Sequence, residues 1–236
     1  MNKCFPIKEI LISSENSCNH DWELHRELGT DGTYGEIWSV CCKNDCNFVM
    51  KYMPYDDGNR RNTRENIINE INVQNLCAEA KLCPKIHDAW LCESGGVFIM
   101  EVYKMTARQL LFEYENKDQI LDNVLVLVSK LHDRGIYHGD LHLDNIMVKP
   151  RKETVNSGKY VDDEWEYRFI DFGKGKRFTS MDDYHIEEDF SAIKDHVRDL
   201  MDENPNRGFE SLYQKMKIQM KRFSDNQESD EEFDGQ

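Results

Sequence analysis

The chain has 236 residues, 39% of them hydrophobic, which is enough to bury the core of one domain or of two closely packed lobes. A formal charge of −15 and a pI near 5.0 exclude broad binding to nucleic acid or to an anionic membrane surface, because both polyanions repel it. No stretch approaches a membrane span, and residues 1–20 lack the apolar run of a secretory signal, so no membrane partner is expected.

All eight cysteines lie in the first 92 residues, and no C-x-x-C pair is present. That usage predicts reduced thiols in a cytoplasmic protein, with the cysteines serving as small buried hydrophobes. A metal clip built from Cys41, Cys42 and Cys46 with Cys83 or Cys92 is the alternative.

In chain order, residues 1–20 read as a loosely patterned leader. Trp22 to Leu28 alternates apolar and polar residues and predicts a strand ahead of a glycine-rich turn. Strands from Glu36 to about Cys42 and from Cys46 to Met53 form a hairpin across Lys43-Asn44-Asp45. Asn62-Thr63-Arg64-Glu65 has the form of a capping box, and Ile67, Ile68, Ile71 and Leu76 recur at helical spacing, predicting a helix over 63–79. Two further strands, 85–92 and 97–103, flank the tight turn Glu93-Ser94-Gly95-Gly96. Residues 21–103 thus read as a small lobe of five strands and one helix.

From Lys104 the pattern becomes helical. Ile120, Val124, Leu127, Val128 and Leu131 form an apolar stripe that ends at Gly135. Ile146 to Lys149 and Trp165 to Ile170 read as a strand pair around the charged span 150–164, and helices follow over 187–201 and 208–223, broken by Asn204-Pro205-Asn206. Residues 104–223 form the second lobe. Residues 224–236 carry six acidic residues and one aromatic and read as a disordered acidic tail.

Four motifs carry chemistry. Asp140 and Asn145 lie five positions apart just before an apolar strand. In phosphoryl transfer an aspartate takes the proton of the attacking hydroxyl while an asparagine a few residues on holds magnesium, and these two residues have that layout. Gly29, Gly32 and Gly35 stand in a turn between strands, where backbone N–H groups can approach phosphate oxygens. Lys51 lies on an otherwise apolar strand and needs an anionic partner if it points inward; Glu70 and Glu65 on the following helix are the candidates. Asp171-Phe172-Gly173 follows a predicted strand.

In this order and on these elements, the motifs resemble the protein-kinase-like superfamily. Leu28 to Ile37 is similar to its glycine loop, with one additional residue between Gly29 and Gly32. Phe48-Val49-Met50-Lys51 resembles V-A-I-K, and His138-Gly139-Asp140-Leu141-His142 resembles the catalytic loop of compact atypical kinases, such as the KEOPS-complex kinase and minimal kinases of large DNA viruses. The resemblance implies an α+β, bilobal protein-kinase-like fold, with a small β-rich N-lobe and a reduced helical C-lobe. It implies ATP and Mg as cofactors, a protein substrate with serine or threonine as acceptor, and possible assembly with a protein partner, in the cytoplasm or, for a viral protein, in host cytoplasm or virion.

By the same resemblance Asp140 is the catalytic base, Lys51 holds the α- and β-phosphates, Glu70 braces Lys51, and Asn145 and Asp171 bind the metal. Ile37, Val49 and Met147 sandwich the adenine, Met100 is the gatekeeper, and the backbone from Glu101 to Tyr103 is the hinge. Departures are informative. Gly139 replaces the arginine that receives a phosphorylated activation loop, the segment after Asp171 is short, and His142 stands where serine/threonine kinases carry lysine. Gln74 occupies a position that is commonly apolar, Asp189 is a candidate brace for the catalytic loop, and Lys174, Lys176 and Arg177 form a basic cluster. A small-molecule phosphotransferase of the aminoglycoside or choline type, and a nucleotide-regulated interaction module with weak ATPase activity, are the alternatives.

Overall fold

The computed structural model describes residues 4–6, 22–29, 35–55, 62–150, 165–179, 183–205 and 208–218. The N-terminal lobe is built on an antiparallel sheet of β1 (Cys4–Pro6), β2 (Trp22–Gly29), β3 (Glu36–Cys42), β4 (Asp45–Pro54), β5 (Ile86–Cys92) and β6 (Gly95–Glu101), ordered β1-β5-β6-β4-β3-β2. β1 lies inside the stretch read as leader. Three residues carry no periodic signal, and it is pairing with β5, Cys4 opposite Cys92, that makes them a strand. β2 forms the opposite edge, so its alternation does not sort residues into a buried and an open face; Leu24 and Leu28 stay 60% and 42% exposed.

The β3–β4 hairpin turns through Lys43 and Asn44, both at positive φ (47° and 74°), as a two-residue turn matched to strand twist requires. Cys41 and Cys46 are joined across that turn by a disulfide, and Cys42 and Cys92 each take part in a disulfide as well. The expectation of reduced thiols therefore fails for these four, and the clip fails with it, since the Cys41 and Cys46 sulfurs are bonded to each other. Hairpin pairing brought together two sulfurs whose spacing carried no disulfide signature. Cys77 and Cys83 are buried free thiols, and burial pushes the Cys83 thiol well above its ordinary value.

Helix α1 (Arg64–Glu79) starts at Thr63, whose hydroxyl accepts from the Asn66 amide at 3.2 Å. Its buried face carries Ile67, Ile71, Val73 and Cys77 together with the polar Glu70 and Gln74. It closes the N-lobe core of Val49, Met53, Ile67, Ile71, Phe98 and Met100.

The second lobe opens with β7 (Met105–Thr106) and α2 (Ala107–Glu113), an element the hydrophobic pattern did not reveal. Its seven residues are too few for a stripe, yet Thr106 and Gln109 form a reciprocal capping box that was legible as T-x-x-Q. α3 (Lys117–His132) supplies the central apolar face; β8 (Ile136–Tyr137), β9 (Ile146–Pro150), β10 (Trp165–Phe169) and β11 (Lys176–Arg177) follow. α4 (Asp183–Glu203) begins before the expected 187, and a further helix, α5, covers 209–218. Residues of α2, α3, α4, α5, β9 and β10 share one core with the C-terminal end of α1. The two clusters are the cores of two lobes, and the fold is the α+β bilobal one. The acidic tail, the span 151–164 and the tip of the glycine loop at 30–34 lie outside the described residues. Among the described residues no helix is long and apolar enough to cross a membrane.

Candidate active site

β4 alternates buried and half-buried positions, and Lys51 falls on a buried one. A lysine there needs anionic partners, and two elements bring them. Its Nζ donates to Glu70 Oε1 of α1 at 2.6 Å and to Asp171 Oδ1 at 3.0 Å. Burial by itself lowers the Lys51 pKa, but the two carboxylates more than reverse this and hold the ammonium charged. Burial raises the Asp171 carboxyl, and Lys51 outweighs that, keeping it below its ordinary value. For Glu70, burial dominates and pushes the carboxyl up, Lys51 pulling it back and Asp171 adding to the push. Glu65, the other candidate, lies exposed in the first turn of α1.

Asp140 and Asn145 are fixed by a short 3-10 turn, Leu143–Asn145, between β8 and β9. Asn145 Nδ2 donates to the Asp140 carbonyl at 2.9 Å, and the Asn145 carbonyl accepts from the Ile170 amide at 2.9 Å, one residue before Asp171. The loop leading into Asp140 hangs on Asp189 of α4, which is 1% exposed. Its Oδ2 accepts from the His138 amide at 3.0 Å and faces His132 Nε2 at 2.9 Å, and its Oδ1 accepts from the Gly139 amide at 3.1 Å.

His138 is fully buried, with its ring 4.7 Å from that of Phe172. The Ile170 carbonyl, 3.0 Å from Nε2, can only accept, so Nε2 carries the proton. Burial lowers this imidazole's pKa against the pull of Asp189.

Ile37 stands opposite Lys51 and Val49 opposite Met100, in or against the N-lobe core. Met147 is half-buried on the face of β9 opposite Ile146 and Val148, which point into the C-lobe core. In the segment between the lobes, Glu101 N–H donates to the Lys85 carbonyl and Val102 N–H to that of Asn47, at 3.2 and 3.1 Å. The Tyr103 ring is buried beneath Lys149 Nζ at 4.4 Å and shares a pocket with Cys83 and Arg168, which leaves only the backbone of Tyr103 untaken by this packing. Gly29 pairs with Ile37 at the end of β2, and a side chain at Gly35 would collide with the Tyr52 carbonyl. Gly32 lies outside the described residues.

Two contributors escaped the motif reading. His132 and His196 sit on helices with no local signature. His196 Nδ1 accepts from the Leu143 amide at 2.9 Å, pinning the turn from α4. His142, Asp144 and His196 also present ligand atoms within 4.8 Å of one another. With Nδ1 accepting, neutral His196 carries its proton on Nε2, which faces Asp144 Oδ2 at 3.8 Å, so that ring offers no lone pair to a cation. Asp144 is shared with Thr106 at 3.3 Å and Arg108 at 3.6 Å, and the cluster is best described as a polar brace.

A buried lysine clasped by a helix glutamate and by the aspartate of D-F-G, beside an Asp/Asn turn, is the arrangement that decides the family. The protein kinase domain family matches residues 22–192. The chain belongs to the protein kinase domain family. A titin homolog of Caenorhabditis elegans is 27% identical over 173 residues, which cover 69% of this chain and 1% of that protein. The chain therefore corresponds to a very small part of that relative's length.

Proposed function

We propose that this domain transfers the γ-phosphoryl group of ATP, with magnesium, to a serine or threonine hydroxyl of a protein. The observation that carries the reading is the bridge from Glu70 through Lys51 to Asp171, with Asp140 and Asn145 tied to the same strand ends. Phosphoryl transfer asks a protein mainly to position the reactants and stabilise charge. Lys51, held charged, presents a cation to the α- and β-phosphates. Asp140, 31% exposed at its side chain, is open to an incoming hydroxyl and takes its proton as the new P–O bond forms.

The residues present fit a hard, oxygen-seeking cation. Asn145 uses Nδ2 on the Asp140 carbonyl, which leaves Oδ1 as its ligand atom, and Asp171 gives Oδ1 to Lys51, which leaves Oδ2. Bound there, magnesium supplies neutralisation of the charge on the transferring phosphates.

In the test, purified protein with labelled ATP and magnesium is scored for transfer to itself, to generic proteins and to aminoglycosides or choline, and for bare hydrolysis. Asp140→Ala should abolish transfer while leaving nucleotide affinity within a few-fold. Wild-type turnover in that variant overturns the assignment. Transfer to the small molecules alone, or hydrolysis without transfer, overturns the protein-acceptor reading.

A further inference from the structure

Lys174 follows the D-F-G tripeptide, and its ammonium donates to Asp140 Oδ1 at 2.8 Å. The backbone that follows it is held from several sides. Gly175 N–H donates to the Phe172 carbonyl at 2.8 Å, and Asn69 of α1 donates to the Gly175 carbonyl at 3.0 Å. β11 pairs with β8, placing Lys176 opposite Tyr137, and Phe178 N–H donates to the Gly135 carbonyl at 2.7 Å. The truncated segment is thus strapped along the approach to the catalytic loop.

Gly139 makes this approach possible. It sits at φ +75°, and a Cβ there would lie 2.8 Å from the Lys174 carbonyl oxygen and 3.1 Å from the Lys174 Cβ. Any larger residue would push the turn, and its lysine, away from Asp140. The chain has therefore placed a glycine where the two loops touch and a cation where the acceptor hydroxyl must meet its base.

Stability does not account for the pair. Lys174 and Asp140 are 53% and 31% exposed, and an ion pair that open contributes roughly 0–1 kcal/mol. Such a weak contact is readily exchanged for a stronger one. A transferring phosphoryl group in line with a hydroxyl on Asp140 brings equatorial oxygens beside the ammonium, which becomes more strongly attracted as charge develops on them.

We propose that Lys174 is a catalytic cation of this site, pairing with Asp140 at rest and with the γ-phosphoryl oxygens during transfer, a role that rests on the phosphoryl-transfer reading above. In that step the bond from the γ-phosphorus to the β-bridging oxygen breaks, and ADP leaves with the electron pair. The bond from phosphorus to the acceptor oxygen forms, and the hydroxyl proton passes to Asp140. Lys174 stays protonated throughout.

The experiment compares wild type, Lys174→Met and Lys174→Arg for kcat and KM, for calorimetric affinity toward ATP and ADP with magnesium, and for melting temperature. Lys174→Met should lower kcat by about 100-fold, the loss typical of one transition-state donor. It should also shrink the preference for ATP over ADP, with ADP affinity and melting temperature unchanged. Lys174→Arg should recover most of the rate. Unchanged or faster turnover in Lys174→Met overturns the role, the faster case marking Lys174 as a latch on Asp140. An equal loss of ATP and ADP affinity overturns it in favour of a structural part. Wild-type protein that transfers no phosphoryl group at all overturns the kinase reading, and this inference with it.

Discussion

Asp189→Asn tests how the catalytic loop is held. In the folded protein one carboxylate serves three donors, the amides of His138 and Gly139 and the ring of His132, at 2.9 to 3.1 Å and with 1% exposure. Asparagine keeps the shape but replaces one accepting oxygen with an NH2 group. Whichever way the amide is turned, at least one buried donor then faces another donor. An orphaned buried donor costs about 1–3 kcal/mol, and the remaining bonds lose their charge assistance, so the expected loss of stability is about 3–4 kcal/mol. In a chain of this size that is roughly 10 °C in melting temperature. The loop carrying Asp140 loosens as well, and each 1.4 kcal/mol that appears in the barrier is about tenfold in kcat. Thermal unfolding by circular dichroism and steady-state kinetics measure the two effects, with Glu187→Gln on the exposed side of the same helix as control. A loss below about 1 kcal/mol together with wild-type turnover would refute the reasoning, because it would mean that the loop is held by other contacts.

Gln74 is fully buried, with Nε2 3.3 Å from Met100 Sδ and Oε1 without a hydrogen-bond partner among the described residues. Gln74→Leu removes that unsatisfied atom at similar volume and should raise stability by about 1 kcal/mol, read as a higher urea midpoint with unchanged slope; a lower midpoint contradicts the account. The His138 imidazole titrates below its ordinary 6.5 because it is buried. The unfolded chain then binds more protons than the native state just below pH 6.5. Stability conferred by neutral His138 is complete above that pH and is lost as pH falls toward the lowered native value, at no more than about 1.4 kcal/mol per pH unit. His196 is shifted the same way by burial and acts in the same direction, whereas the raised Glu70 carboxyl acts oppositely in acid. The difference between wild type and His138→Gln isolates the single group. The variant's melting temperature should fall less between about pH 7.5 and about pH 5.5, one unit either side of the ordinary histidine value, and parallel curves would disprove the assignment.

What the sequence determined by itself is local chemistry in a fixed order. Thr63 and the isoleucines after it define α1, the stripe from Ile120 to Leu131 defines α3, and the turn at Lys43-Asn44 defines the hairpin that carries Lys51. Each signal lies within a few residues, where propensity, capping and periodicity act. The tertiary structure decided which distant groups meet. Lys51 and Asp171 are 120 positions apart, and the choice of Glu70 over Glu65 depends on which face of α1 packs against the sheet. The same holds for β1, which exists because β5 is its neighbour, and for the Cys41–Cys46 bond, which exists because strands pair across a turn. Gly139 shows the difference most directly. In the sequence it is a missing arginine; in the fold it is the gap through which Lys174 reaches Asp140, a contact set by packing between two loops that no period or spacing encodes.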